Sequence, residues 1–333
     1  MSAKIKWGVI ASGGIARRRT IPEGIMRADN ATLTAVYNPT QSKNAEVAAQ
    51  FGAKACKSIA QLLKSDVDAV YIASPPDVHL KQVIACAKAG KHVLCEKPLG
   101  MNVKQVEKMV AACKGANVRL GTALMMRFHS QHQAALQLIK EGKLGKPVLG
   151  RAQLSFWYPP IENAWRQEPK RGGGGALMDV GGHCIDLLEM FFGPVRAVSC
   201  YTNNTVHNYA SEDAAVTNLM FENGALGMVD TFFCIPDEAS KNALELYGSL
   251  GAIHATGTLG QGEAGEMTAT LQREQTKISP VPVNTYRAEI EEFSNAILQN
   301  REPSCSAEIG LRSQKVLAAC YKSAKTGKSI AIA

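Results

Sequence analysis

Aromatic residues are scarce, 6% of 333 positions, and no window approaches the roughly 20 uninterrupted apolar residues of a membrane-spanning helix. The opening Met-Ser-Ala-Lys-Ile-Lys-Trp enters an apolar strand at once, without the apolar core of about 7–15 residues that marks a secretory signal. Neither export nor membrane spanning is expected. No two cysteines stand in a C-x-x-C pair. The nine, an odd number, lie far apart, which matches neither a disulfide framework nor a zinc site and suits a reducing cytoplasm. No ligand cluster suggests a metal. Acidic charge is in deficit, 29 Asp+Glu against 37 Lys+Arg for a net +8. The one dense basic run, Arg17-Arg18-Arg19, has no interleaved aromatics and no basic helix beside it, so nucleic-acid binding is not expected.

What the chain does have is a core-forming composition, 46% hydrophobic with 20% charged, and more length than one domain of about 100–200 residues needs. Residues 4–10 read as a strand, 16–28 as a helix, 32–37 as a strand and 42–51 as a helix. A short strand follows at 54–57, then the continuously apolar run 67–73, as in a central parallel strand covered on both faces. Helix 79–89, strand 91–95, helix 103–114 and strand 119–124 complete an alternation that predicts a doubly wound parallel sheet.

Past residue 124 the period changes. After a helix near 130–141, residues 148–158 alternate like a half-buried strand. Asn223-Gly224 sits between strand-like runs 214–221 and 225–234, a hairpin signal. Further strand-like runs lie at 243–247, 252–255, 267–272 and 277–283, with helices at 286–298 and 307–324. The expected fold class is therefore α/β: an N-terminal Rossmann-type domain over 1–124, then an α+β domain with a large, mainly antiparallel open sheet over 125–333, its last helix free to pack back on the first domain.

Ala11-Ser12-Gly13-Gly14-Ile15-Ala16 follows the first strand and opens a helix. In a dinucleotide-binding turn the first glycine allows a tight bend, the second lets the backbone approach the pyrophosphate and the third position packs helix on strand. Here the first and third are alanine, so the pattern is degenerate, but free N–H groups at a helix start favour a phosphate. The second strand ends in Asn38, where NAD-preferring sites usually carry a carboxylate for the ribose. With Ser42, Lys43 and the nearby arginines this favours NADP over NAD, although Asn also suits an unphosphorylated ribose. Ser74-Pro75-Pro76 and Glu96-Lys97-Pro98 both follow predicted strands, at the carboxyl ends where open α/β sheets bind ligands. Lys97 can donate to a substrate hydroxyl or pass it a proton; a lysine after a strand is otherwise simply solvated.

Downstream, the run Gly172–Gly175 leads into Asp179 and, four residues on, His183. On a helix both project from one face. A carboxylate beside an imidazole orients it for proton transfer near neutrality, while the plainer reading makes Asp179 a helix cap and His183 a core residue.

These segments together, GVIASGGIA, ASPPDVH ending in His79, GKHVLCEKP and GGGALMDVGGHCIDLL, resemble the Gfo/Idh/MocA oxidoreductase family over essentially the whole chain. The resemblance implies a nicotinamide dinucleotide cofactor, NADP or NAD, bound by the first turn, Asn38, Ser74–Pro76, His79 and Glu96. It implies Lys97 at nicotinamide and substrate, Asp179 positioning substrate and histidine, and His183 as acid/base. Arg127, Trp165 and Arg166 resemble segments near cofactor and substrate, and Tyr158 and Tyr286 are further candidates for substrate contact. The implied reaction is hydride transfer at a secondary alcohol or ketone of a sugar or cyclic polyol. The implied assembly is a homodimer or homotetramer formed through the second domain's sheet. Alternatives are a glycosidase that oxidises its substrate transiently with a tightly bound nicotinamide, and a non-catalytic NAD(P) sensor.

Overall fold

Six strands, β1 (Ile5–Ile10), β2 (Ala31–Tyr37), β3 (Lys54–Ala55), β4 (Ala69–Ile72), β5 (His92–Glu96) and β6 (Leu120–Ala123), form one parallel sheet in the order β3-β2-β1-β4-β5-β6. The computed structural model describes residues 3–332. The strand order is that of a dinucleotide-binding α/β domain, and it reverses between β1 and β4, so a crevice opens at the carboxyl ends of these two strands. All four residues of β4 are fully buried, as helices on both faces of a parallel sheet require. The helix after β1, Ala16–Ile25, is wound with the wider i→i+5 bonding, and Pro22 lies inside it. Proline has no N–H for an α-ladder, and the wider turn tolerates the gap. The helix ends at Ile25, short of the expected residue 28.

The chain divides by its internal contacts into two units. Residues up to Met125 join Asn284–Leu311, and Met126–Val283 joins the part from Arg312 on. The sequence expectation placed everything after 124 in the second domain. The segment Asn284–Leu311 instead belongs with the first: its helix Thr285–Leu298 brings Phe293 to 5.6 Å from the Trp7 ring and Ser294 Oγ to the Trp7 indole N–H, 3.2 Å. A side chain at Gly24 would stand 3.0 Å from Ile290, so that glycine admits the helix. The last helix, Ala307–Thr326, starts in the first unit and crosses the division at Leu311.

The second unit holds a nine-stranded sheet of β7 (Pro147–Ser155), β8 (Val195–Asn203), β9 (Ala214–Phe221), β10 (Leu226–Phe232), β11 (Ala243–Gly248), β12 (Gly251–Thr256), β13 (Glu266–Leu271), β14 (Glu274–Lys277) and β15 (Ile330–Ala331), in the order β14-β13-β12-β11-β7-β10-β9-β8-β15. Its named pairings are antiparallel except β7 with β10. Strand β8 was not foreseen from the sequence; its register shifts between Val195 and Ala197 and is regular from there to Asn203. The expected strand 277–283 does not form: β14 ends at Lys277, and Pro280 and Pro282 cannot donate to a ladder beyond it. The helix Gly182–Phe192 lies against β7, where a side chain on Gly150 would stand 2.9 Å from Leu188 and 3.0 Å from Phe192. Among the described residues no helix is long and apolar enough to cross a membrane.

Candidate functional site

In the first unit the chain leaves β1 through Ala11, held at φ 60°, and Gly14, at φ 52°. Both are left-handed, a conformation that glycine adopts freely and alanine only against a steric cost. Between them, the Ser12 N–H bonds to the Tyr37 carbonyl at 3.1 Å, which ties the turn to the end of β2. The Ser12 hydroxyl is fully buried and finds no hydrogen-bond partner in the protein. Leaving such a group unsatisfied costs about 1–3 kcal/mol. Asn38 faces the same turn. Its Oδ1 accepts from the Thr40 N–H at 3.0 Å, and its Nδ2 lies 3.1 Å from where a Gly13 side chain would begin. Gly13 thus leaves room for the Asn38 amide, which points its donors into the turn. A buried hydroxyl, a bare glycine and an amide donor at a helix start fit the pyrophosphate and ribose of a dinucleotide.

The basic residues nearby are more engaged than the sequence suggests. Arg17 pairs with Glu46 at 3.1 Å and Gln50 at 3.0 Å, and Arg19 pairs with Glu23 at 2.9 Å with its guanidinium 5.2 Å from the Tyr286 ring centroid. Ser42 and Lys43 are exposed on the helix Gln41–Phe51. Tyr286 itself is buried in the first unit, its hydroxyl pushed up by burial and then by Glu96 and Glu289.

After β4, Pro75 and Pro76 open a short turn, and the Ser74 hydroxyl donates to Gln82. His79 was expected at the cofactor. It is fully buried, with Nε2 2.7 Å from the Ser74 carbonyl and Nδ1 3.2 and 3.3 Å from those of Pro98 and Leu99. Burial holds its pKa below the usual imidazole value against these carbonyls. Its ring lies between the loop after β4 and the loop carrying Lys97, where whichever nitrogen carries the proton donates to a facing carbonyl. Glu96 likewise turns to the protein: the Tyr71 hydroxyl donates to it and accepts from Thr20 at 3.0 Å. Lys97 follows, half-buried, with a cis bond to Pro98.

In the second unit Asp179 lies on the wide-turned segment Leu177–Gly181, which runs directly into Gly182–Phe192 with His183. Asp179 is 6% exposed and His183 9%. The Asp179 carboxylate accepts from Arg166 Nε at 2.9 Å, and the Arg166 guanidinium lies 4.2 Å from the Trp165 ring centroid. Burial works against the Arg166 charge, but Asp179 and Tyr158 together hold its pKa above the usual value. Candidates Tyr158, Trp165, Arg166 and Asp179 are therefore one connected group. Arg127 makes a two-pronged bond to Asp186, 2.7 Å on each oxygen, one helical turn beyond His183. Sequence reasoning missed Asp186, although the spacing 179, 183, 186 was its available signal. Among the described residues no group of three or more His, Cys, Asp or Glu side chains is gathered as a metal would need.

Residues 5–124 match a family model described as an oxidoreductase family with an NAD-binding Rossmann fold, and residues 132–254 match the GFO/IDH/MocA C-terminal domain. The chain is 29% identical over 331 residues to a 1,5-anhydro-D-fructose reductase of Ensifer adhaerens, covering 98% of each. It is 27% identical over 327 residues to a D-xylose 1-dehydrogenase (NADP(+)) of Haloferax volcanii, covering 97% of this chain and 98% of the other. Among solved structures, an aldose-aldose oxidoreductase from Caulobacter crescentus, complexed with glycerol, superimposes with a TM-score of 0.91 at 25% identity, over 98% of this chain and 99% of that one.

Proposed function

The chain belongs to the Gfo/Idh/MocA family of oxidoreductases, with an NAD(P)-binding Rossmann domain, and from that membership we propose that it catalyses hydride transfer at a secondary alcohol or ketone of a sugar or cyclic polyol. When bound, the dinucleotide supplies the hydride chemistry at nicotinamide C4. The chain's own residues do the rest. Ser12, Gly13 and Gly14 hold the pyrophosphate, and Asn38 binds the adenosine ribose with its amide donors. Ser74 to Pro76 form a rigid wall, which His79 braces. Lys97 donates to the reacting oxygen and polarises it. His183 takes the hydroxyl proton in oxidation and returns it in reduction, and Asp179, steadied by Arg166, orients substrate and imidazole.

The observation that carries this reading is the buried, unpartnered Ser12 hydroxyl beneath a turn whose bare Gly13 faces the Asn38 amide. An amide that offers N–H groups suits a 2′-phosphate, which a carboxylate would repel, and NADP is the cofactor we assign. The relatives quoted above act on sugars or sugar derivatives by their names, which supports the substrate class. We assign assembly as a homodimer or homotetramer to the open face of the nine-stranded sheet. Tyr201 opposes Val216 there, and Met220 opposes Leu226, all of them exposed. All nine cysteines are free thiols, which supports a reducing compartment such as the cytoplasm.

Parallel titration with NADPH and NADH, read by nicotinamide fluorescence, tests the core of the reading. NADPH binding about tenfold tighter is expected, and no binding of either by cofactor-free protein overturns it. Turnover is then sought with 1,5-anhydro-D-fructose, D-xylose and myo-inositol. His183→Asn should abolish it while leaving cofactor affinity intact.

A further inference from the structure

The run Gly172–Gly175 finds no use in the proposed chemistry, yet a β-carbon on Gly174 would fall 1.8 Å from the Tyr321 hydroxyl, and one on Gly175 would fall 1.9 Å from the Glu212 carbonyl oxygen. Both glycines are bare because two distant residues come in against them. Glu212, in the loop before β9, takes three hydrogen bonds on one carboxylate oxygen: from the Gly175 N–H at 2.8 Å, the Leu177 N–H at 3.1 Å and the Tyr321 hydroxyl at 2.7 Å. Its own carbonyl accepts from the Ala176 N–H at 3.1 Å. The helical segment that carries Asp179 and His183 begins at these same residues, and its N-cap, Ala176, has no side chain able to cap it. Helix starts leave N–H groups without partners, and a carboxylate there is favoured by the helix dipole. The cap comes from some 35 residues downstream, and Tyr321 on the last helix holds it in place.

We propose that Glu212 and Tyr321 are positioning residues for the reaction: they fix the start of the helix and thereby set where Asp179 and His183 stand. The inference rests on the function proposed above. Asp179 lies two residues past Leu177, and its own N–H bonds to the Gly175 carbonyl at 2.9 Å. A shift of Gly175 or Leu177 is thus passed to the carboxylate directly and to His183 one turn later. Displacing a reacting group by about 1 Å can cost on the order of a hundredfold in rate, so a cap that governs the helix start is a lever on turnover.

The test compares Tyr321→Phe, Glu212→Gln, Glu212→Ala and His183→Asn in the intact protein, with turnover measured per folded molecule on the sugar that the native chain uses fastest with NADP(H). Glu212→Ala should lower kcat by about tenfold, Tyr321→Phe by about threefold, and Glu212→Gln, which keeps an acceptor for all three donors, should stay within about threefold of native. Affinity for NADPH should not change. A purely structural role would lower the melting temperature and the yield but leave kcat per folded molecule native, and that result overturns the proposal. Hydrogen exchange gives a readout that needs no substrate: Tyr321→Phe should speed exchange at Gly175 to Leu177 and on through His183, and unaltered exchange counts against the proposal as decisively. Loss of turnover in His183→Asn with native rates in the other three sinks the positioning role alone. Native turnover in His183→Asn sinks the catalytic reading and, with it, this one.

Discussion

Arg166 and Asp179 form a 2.9 Å ion pair, the Arg166 guanidinium lies 4.2 Å from the Trp165 ring centroid, and Tyr158 is near enough to help hold the guanidinium charged. A carboxylate that is 6% exposed is costly to leave without a partner. Arg166→Met should therefore cost about 1–3 kcal/mol of stability, and kcat/KM should fall along with it. Arg166→Lys should rescue little, because an ammonium can neither reproduce the planar donor array nor stack on Trp165. Thermal melts and initial rates on the same preparations check both statements. Native kcat/KM in Arg166→Met would remove the pair from the mechanism.

Ala11 occupies a left-handed turn position at φ 60°. Ala11→Gly should relieve that strain and raise stability by about 0.5–1 kcal/mol, after the greater freedom of glycine in the unfolded chain is subtracted. NADPH affinity should stay native, since the backbone path is unchanged. A lower urea midpoint in the variant would show that the alanine is not strained.

Asn38→Asp replaces an amide donor beside Gly13 with an acceptor of negative charge. NADPH should lose at least about tenfold in affinity while NADH changes little or improves. Equal losses for the two cofactors, measured by fluorescence titration, would mean that Asn38 supports the turn and does not discriminate between them.

His132 is fully buried, with Nδ1 2.8 Å from the Met126 carbonyl and Nε2 3.1 Å from the Thr258 hydroxyl. Burial pushes its pKa down to about 3. The unfolded imidazole gains a proton near pH 6.5, whereas the folded one resists until about 3. The unfolded state therefore binds more protons across that window, and stability falls as the pH is lowered through it, by about 1.4 kcal/mol per pH unit for this one group. His132→Gln should be less stable at pH 7 and show a shallower loss between pH 6 and pH 4. Urea midpoints against pH measure the slope, and an unchanged slope would exclude His132 as its source.

The local chemistry of this chain was written in its sequence. Apolar runs separated by helix-length segments give a parallel sheet wherever they occur, because continuous burial and short crossovers leave few other arrangements. The motifs around Ser12, Lys97 and His183 are contiguous, so their spacing alone places them at a strand end or on one helix face. Where the strand assignments failed, the cause was again local. The bulge lies at the start of β8, and Pro280 and Pro282 keep 278–283 out of the ladder.

Only the tertiary structure could decide which distant groups serve those motifs. Nothing near Asp179 in sequence announces that Glu212 and Tyr321 cap its helix, that Asp186 engages Arg127, or that the ring of His79 faces backbone carbonyls on both sides. Nor does the position of Thr285–Leu298 late in the chain announce that it packs on Trp7. Such pairings depend on the fold closing loops of tens to hundreds of residues. A hydrogen bond fixes a partner's position to within tenths of an ångström, and sequence periodicity carries no information on that scale.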